Sequence, residues 1–338
     1  MKPQTCRQFT LAARPTGKVK ESDLAFREVE IPEPADGEIL VHNEYFSLDP
    51  SMKGHMEDRS DYRAPLQIGE VMAGRSVGTV VKSRHSEINE GDQVFGFLGW
   101  SDYTVTDGKS IPVHVYREKV NPEAALGVMG GTGMTAFFGL TRIGEPQSGD
   151  VLVVSGAAGA TGNVAGQIGR ILGCHVIGIA GSDDKCRMLV DELGFHATIN
   201  YKTEDVGEAL DKLCPNGIDI YFDNVGGDIL NECLARLALH ARIVLCGGIS
   251  HYNLEQKPPG PDNYFNLVFR RAKMHGFLLS DFADSFDRAR QQLQSWYEEG
   301  ELKQKSTVID GFTSLPHALV ELFNGYNVGK MIVRNDST

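Results

Sequence analysis

Three glycines, Gly156, Gly159 and Gly162, stand at the end of the β-branched run Val151-Leu-Val-Val-Ser155 and at the start of an amphipathic segment. A second apolar run, Cys174-His-Val-Ile-Gly-Ile-Ala180, follows. That order of strand, glycine turn, helix and strand suits the binding of a dinucleotide pyrophosphate. Missing Cβ atoms let backbone and phosphate approach, and a helix N-terminus offers unpaired N–H groups and the positive end of its dipole. A lone glycine triplet is often only a tight turn; here the flanking elements favour binding.

The end of the second strand bears on which dinucleotide is held. An acid at that point, about 20 residues beyond the glycines, reads the ribose of NAD. Here the strand ends in Ala180-Gly181-Ser182, followed by Asp183-Asp-Lys185. Glycine and serine leave room for a 2′-phosphate, and Lys185 in the first turn of the next helix can neutralise it. Tyr201, after the third strand, can pack on the adenosine and donate a hydrogen bond. Against this, the plainer reading of Lys185 is a solvated helix lysine and of Tyr201 a surface aromatic, and a register shift of two would let Asp183 serve NAD. The residues favour NADPH.

The elements that must position these groups form two regions. The first 120 residues carry short strand-like runs (38–45, 78–81, 93–98) separated by Gly, Pro, Asp and Asn, an antiparallel, barrel-like pattern. From Pro122 a helical segment runs towards Leu140. Strands are then expected at 151–155, 175–180, 197–199, 218–223, 242–246 and 273–279, with helices at 161–172, 183–193, 203–213, 226–238 and 283–299. Such alternation implies a doubly wound parallel sheet. A strand from Thr307, a helix over 314–323 and a strand over 330–334 close the chain and return to the first region. The expected domains are therefore 1–122 with 302–338, and 123–301. A Pro/Gly-rich loop, 257–263, is the obvious irregular segment.

The chain has 338 residues and a net charge of −12, which argues against nucleic-acid or acidic-membrane partners. No apolar signal core or run of membrane-spanning length is evident, so the cytoplasm is the expected compartment. The six cysteines lie at 6, 174, 186, 214, 233 and 246, with no CxxC pair, which speaks against a disulfide framework or a four-cysteine zinc site.

Taken together, Gly156-Ala-Ala-Gly-Ala-Thr-Gly162, Gly181-Ser-Asp-Asp-Lys185, Asn200-Tyr-Lys202, Tyr221-Phe-Asp-Asn-Val-Gly-Gly227, Cys246-Gly-Gly-Ile-Ser-His-Tyr252 and Asn327-Val-Gly-Lys330 resemble the zinc-independent medium-chain dehydrogenase/reductases. The nearest branch holds prostaglandin, 2-alkenal and bacterial curcumin reductases. Ser47-Leu-Asp-Pro50, Gly69-Glu-Val-Met72, Gly99-Trp-Ser-Asp-Tyr103 and Gly133-Met-Thr-Ala-Phe-Phe-Gly-Leu140 agree, so the resemblance spans essentially the whole chain. It implies a Rossmann domain plus a discontinuous GroES-like substrate domain, and a homodimer. It also implies that Gly159, Ala160, Thr161 and Gly162 hold the pyrophosphate, and that Gly181, Lys185 and Tyr201 surround the 2′-phosphate. Asn224, Cys246, Gly247, Gly248, Ile249, Ser250, Tyr252, Phe277, Leu278, Leu279 and Asn327 would line the nicotinamide half. The chain departs from the pattern at Ser51, where relatives often have tyrosine, and at Thr132, where many have proline.

Zinc-dependent relatives carry Gly-His-Glu near Gly69 and a catalytic cysteine upstream. Here the segment is Gly-Glu-Val-Met, and no cysteine lies between Cys6 and Cys174. No metal is expected, and His42, His55 and His85 read as solvent-facing or structural. A metal-free reductase suits reduction of the C=C bond of α,β-unsaturated aldehydes and ketones, with hydride added to the β-carbon and charge gathering on the carbonyl oxygen. Tyr252 is the first candidate to order the ribose hydroxyl or relay a proton, with packing against the cofactor an equally open role; Tyr62 is the second. Quinone reduction and non-catalytic NADPH binding are the competing readings.

Overall fold

The computed structural model describes residues 5–58, 64–254 and 258–336. The chain divides into two compact units, Met1–Leu126 with Ser306–Thr338, and Gly127–Lys305.

In the first unit β1 (Thr5–Leu11) pairs antiparallel with β2 (Leu24–Glu30). A larger sheet is built from β3 (Ile39–Ser47), β4 (Ser76–Ser83), β5 (Gln93–Gly96), β6 (Tyr103–Thr106) and β7 (Val113–Tyr116), the strands that precede the second unit. Two strands after the second unit complete it, Ser306–Asp310 and Lys330–Arg334. Their mutual pairing is parallel, and the other pairings are antiparallel. Helix α1 (Met52–Met56) follows β3, and α2 (Pro122–Leu126) ends the N-terminal part. Apolar side chains facing inward from the strands meet Phe312, Leu315 and Leu319 from the C-terminal segment, and Phe9 stacks on Phe312 at 5.5 Å. Burial of this kind, at about 25 cal/mol per Å² of apolar surface, is what fastens the C-terminal residues to a unit whose other strands, Thr5 to Tyr116, all precede the second unit.

The second unit begins with α3 (Gly131–Phe138). Its strands are β8 (Val151–Ser155), β9 (His175–Ala180), β10 (Ala197–Asn200), β11 (Ile218–Asp223), β12 (Leu237–Leu245) and β13 (Lys273–Gly276). The last two strands of the chain, Ser306–Asp310 and Lys330–Arg334, are β14 and β15. The second sheet runs β10-β9-β8-β11-β12-β13, all parallel. Helices α4 (Ala160–Ile171), α5 (Asp183–Asp191), α6 (Val206–Leu213) and α7 (Gly227–Ala235) connect its strands. The short α8 (Ile249–Tyr252) and α9 (Asn266–Arg270) precede β13, and α10 (Phe286–Glu298) follows it. In the first unit α11 (Leu315–Phe323) leads to β15. The order of the second sheet turns around between β8 and β11, and the carboxyl ends of strands at such a reversal form the binding crevice of doubly wound sheets.

Several expected boundaries move. The helix expected over 226–238 stops at Ala235, and the strand expected from 242 starts at Leu237. Leu237 already pairs with Ile218, and the register then slips before Ile220, with His240 at φ 62°. Its irregular early part hides the strand from periodicity. The strand expected over 273–279 ends at Gly276, and a 3-10 stretch (Leu279–Ser285) displaces the next helix start from 283 to Phe286. The helix expected from 203 starts at Val206, because Asp205 accepts from the Glu208 N–H at 2.8 Å and caps it there.

Candidate active site

β8 delivers the chain to Gly156, whose φ of +56° is a left-handed turn conformation that favours glycine. The Gly159 N–H donates to the Gly156 carbonyl at 2.9 Å, closing the turn, and α4 begins at once. A Cβ on Gly162 would lie 2.3 Å from the Gly156 carbonyl oxygen, so the helix packs on the turn only because that atom is missing. No side chain caps α4, and Asn163 donates instead to the Gly159 carbonyl at 2.6 Å. The amide groups of Ala160, Thr161 and Gly162 thus remain in the first turn of a twelve-residue helix, the arrangement that receives an anion.

The next strand end supplies cations. Ser182 caps α5 by accepting from the Lys185 N–H at 3.3 Å. Burial, and then the nearby charge of Lys202, push the Lys185 ammonium down from its ordinary pKa, so the two lysines share a neighbourhood. Tyr201 packs on Gly181: a Cβ there would meet its ring at 2.9 Å and its hydroxyl at 3.0 Å. Asp183 is engaged elsewhere, accepting from the Asn200 side-chain amide at 2.7 Å. These contacts place Tyr201 over Gly181 and Lys185 in the first turn that Ser182 caps. The donors and the glycine cradle fit a dinucleotide with a 2′-phosphate.

A third cluster ties the strand ends to one another. Asp223, 1% exposed, accepts through one carboxylate oxygen from the Ser155 and Tyr221 hydroxyls at 2.9 and 2.8 Å. The same oxygen accepts from the N–H groups of Val225 and Gly226 at 3.0 and 2.9 Å. Asn224 donates from its backbone to the Ser155 hydroxyl at 2.9 Å and from its side chain to the Ser155 carbonyl at 2.7 Å. The Asp223 carbonyl accepts from Cys246 and Gly247, and the carbonyls of Asn224 and Val225 accept from Ile249 and Ser250. The segment Cys246–Tyr252 is thereby laid against Asn224, and a Cβ on Gly247 would stand 3.7 Å from the Tyr252 hydroxyl. Burial, and then Asp223, push the Cys246 thiol up to about 12, and burial above all raises the Tyr221 phenol well above its usual value. Both stay protonated. Asp223 escaped the sequence reading as a site residue; the signal was an acid at the end of the buried run Ile220-Tyr-Phe222, just before Asn-Val-Gly-Gly.

Of the remaining sequence candidates, Phe277 packs where a Cβ on Gly139 would fall, at 2.9 Å, and Leu278 and Leu279 enter the 3-10 stretch, Leu278 donating to Asp281 at 2.9 Å. Asn327 belongs to the first unit, where its side-chain amide donates to the Gly329 carbonyl at 2.8 Å. Tyr62 lies outside the described residues. Among the described residues no group of three or more His, Cys, Asp or Glu is arranged to hold a metal ion. His42 faces the Tyr103 ring at 4.9 Å, His55 the Phe97 ring at 5.9 Å, and His85 accepts from the N–H groups of Glu87 and Ile88. No helix of the described residues is long and apolar enough to cross a membrane.

Comparison with known proteins agrees with this geometry. Residues 7–113 match the family model described as the N-terminal domain of oxidoreductase, and residues 160–295 match that described as zinc-binding dehydrogenase. The chain is 37% identical to the NADPH-dependent curcumin reductase of Escherichia coli, covering 98% of this chain and 97% of that protein. It is 36% identical to the NADP(+)-dependent 2-alkenal reductase of Nicotiana tabacum, over 97% and 96%. The solved structure of CurA from Vibrio vulnificus in complex with NADPH superposes with a TM-score of 0.93 at 41% identity, over 98% of this chain and all of that one. The chain belongs to the medium-chain dehydrogenase/reductase family. Within that family it falls in the zinc-independent branch that holds the curcumin, 2-alkenal and prostaglandin reductases.

Proposed function

We propose that this protein reduces the C=C bond of α,β-unsaturated aldehydes and ketones without a metal. As a member of its family it is an oxidoreductase, and NADPH is its cofactor. When bound, NADPH supplies the hydride that reaches the β-carbon. The N–H groups of Ala160, Thr161 and Gly162 receive the pyrophosphate, with Gly159 keeping the approach clear. Lys185 and Tyr201, over Gly181, hold the 2′-phosphate. Asn224 and the segment Cys246, Gly247, Gly248, Ile249, Ser250 and Tyr252 line the nicotinamide half, with Phe277, Leu278 and Leu279. The observation that carries this assignment is the Asp223 network, which gathers the ends of β8, β11 and β12 at the point where the strand order reverses. Tyr252 supplies a hydroxyl to the ribose or to the carbonyl oxygen on which charge gathers, and Tyr62 is the second candidate for proton delivery. The first unit serves as the substrate domain.

The decisive experiment follows absorbance at 340 nm with enals, enones, quinones and alcohols. Rapid NADPH consumption with enals and enones is expected. Consumption with quinones alone would make the protein a quinone reductase, and tight NADPH binding without turnover would make it a non-catalytic binder. We further propose a homodimer through the β13 edge, where Val268 and Phe269 are 61% and 66% exposed beside a strand paired on one side only among the described residues. Light scattering at twice the chain mass is the expected result.

A further inference from the structure

The turn from β11 into α7 is bare where the next loop presses on it. Gly226 sits at φ +73° and ψ −155°, a backbone region open essentially to glycine alone, and Gly227 follows at φ +59°. A Cβ on Gly226 would lie 3.2 Å from Cε1 and 3.5 Å from Nε2 of the His251 ring, and one on Gly227 would lie 3.2 Å from the Ser250 hydroxyl. The ring is steadied from its own side as well. The His251 N–H donates to the Gly248 carbonyl at 2.9 Å, and a Cβ on Gly248 would stand 3.5 Å from Nδ1. Beside the ring, the Ser250 N–H and hydroxyl both donate to the Val225 carbonyl, at 3.2 and 2.5 Å. Helix α8 is a single turn of four residues with none buried, and helices under about 12 residues are marginal in water without packing. The half-buried His251 ring on the two glycines is the packing that α8 has on this side.

We propose that His251 is a positioning residue for the nicotinamide half. Its ring, seated on Gly226 and Gly227, sets the place of α8 and with it the hydroxyl of the adjacent Tyr252, which lies over Gly247. Every group involved belongs to the second unit. The proposal rests on the reading of Cys246–Tyr252 as the lining of the nicotinamide half. Without the ring, α8 has to be ordered anew each time the nicotinamide binds, while the adenosine half, assigned to Lys185 and Tyr201, is untouched.

The test titrates His251→Ala with NADPH and with adenosine 2′,5′-bisphosphate, which lacks the nicotinamide. NADPH should bind about three- to tenfold more weakly than to the wild type, the cost of ordering one or two loosened side chains. The bisphosphate should bind as before, a split that a general loss of structure would not produce. Equal weakening of both ligands would overturn the proposal. So would unchanged NADPH binding in His251→Ala beside weakened binding in Tyr252→Ala, with the nicotinamide reading left standing. Should Tyr252→Ala also bind NADPH unchanged, the nicotinamide reading fails, and amide exchange without cofactor decides the role of the ring alone. Faster exchange at Ile249 and Ser250 in His251→Ala supports that role, because these N–H groups donate to the Asn224 and Val225 carbonyls. Equal exchange refutes it.

Discussion

Asp223 in the second unit and Asp49 in the first are both buried carboxylates, and they are satisfied by opposite means. Asp223 is surrounded by neutral donors, two hydroxyls and two backbone amides, and its role is to set the course of a loop. Asp49 is balanced by a full charge on Lys330 and felt also by Arg75. Burial alone would raise the Asp49 pKa, but the charges of Lys330 and Arg75 and the hydrogen bonds from Lys330 and Ser47 outweigh it and hold the carboxyl at about 2. Burial pushes the Lys330 ammonium down while Asp49 pulls it up, and the pair is ionised at neutral pH. A network of neutral donors tolerates the loss of one member, because the others still satisfy the acid. Removing Lys330 takes away the nearest balancing charge and leaves Asp49 with only the Ser47 hydroxyl and the more distant Arg75.

The largest effect should therefore come from Lys330→Met, which strands Asp49 without its counter-charge. Breaking a buried pair in this way costs about 3–5 kcal/mol, and thermal unfolding should register it. Adding Asp49→Asn to Lys330→Met should return much of the loss, since the stranded charge is then gone. Asp223→Asn keeps the volume and one acceptor, and should cost about 1–3 kcal/mol and weaken NADPH binding as the Asn224 loop loosens. Equal destabilisation by Lys330→Met and Asp223→Asn would break the comparison. pH offers a second view of Asp49. Folding lowers its pKa from an unfolded value of about 3.9, so its contribution is complete above about pH 4 and is lost as the pH falls towards 2. The acid limb of the wild-type stability curve should flatten in the double variant.

The asymmetry extends to what the sequence made legible. The β8–α4 turn could be read because its cause is local: glycines at fixed spacing, where any Cβ would strike Gly156, between a β-branched run and a helix. The boundaries of β8, β9 and β11 follow from mainly apolar runs closed by glycine, serine or aspartate, with Asp219 the one acid inside β11. β12 was obscured by Ala238-Leu-His240, where exposed positions and a left-handed His240 break the period. β1 and β2 pass unmarked for a similar reason, since five of the seven residues of β2 are exposed. Asp223 and the Asp49–Lys330 pair were invisible for another reason. Ser155 and Asp223 are 68 positions apart, and Asp49 and Lys330 are 281 apart, so only the fold makes them neighbours.

A middle-sized effect should sharpen the cofactor side of the comparison. On the proposed assignment, Lys185→Ala removes a charge-assisted contact to the 2′-phosphate worth about 1.5–3 kcal/mol. The apparent constant for NADPH should rise by about tenfold or more, with NADH binding hardly changed. Because Lys185 is half-buried beside Lys202, its loss also relieves a repulsion. Equal weakening of both cofactors in a titration would make this lysine structural.

The smallest effect is expected at Tyr252, whose hydroxyl reaches over Gly247 on the segment that the Asp223 network holds in place. Phenylalanine keeps the ring and its packing and removes one donor. With an unperturbed pKa of about 10, a tyrosine hydroxyl is protonated at neutral pH and able to donate to the ribose or to the developing oxyanion. A donor that acts only in the transition state lowers kcat and kcat/KM together, whereas one that positions the ribose weakens NADPH and spares kcat. The placement of Tyr252 on a loop anchored to the cofactor crevice predicts the first pattern, a several-fold loss in both constants with the NADPH dissociation constant little changed. Steady-state kinetics on Tyr252→Phe with a saturating enone, beside a direct NADPH titration, separates the two. A variant unchanged in all three would reduce Tyr252 to packing and pass proton delivery to water or to Tyr62, and Tyr62→Phe would then be the variant to show the loss.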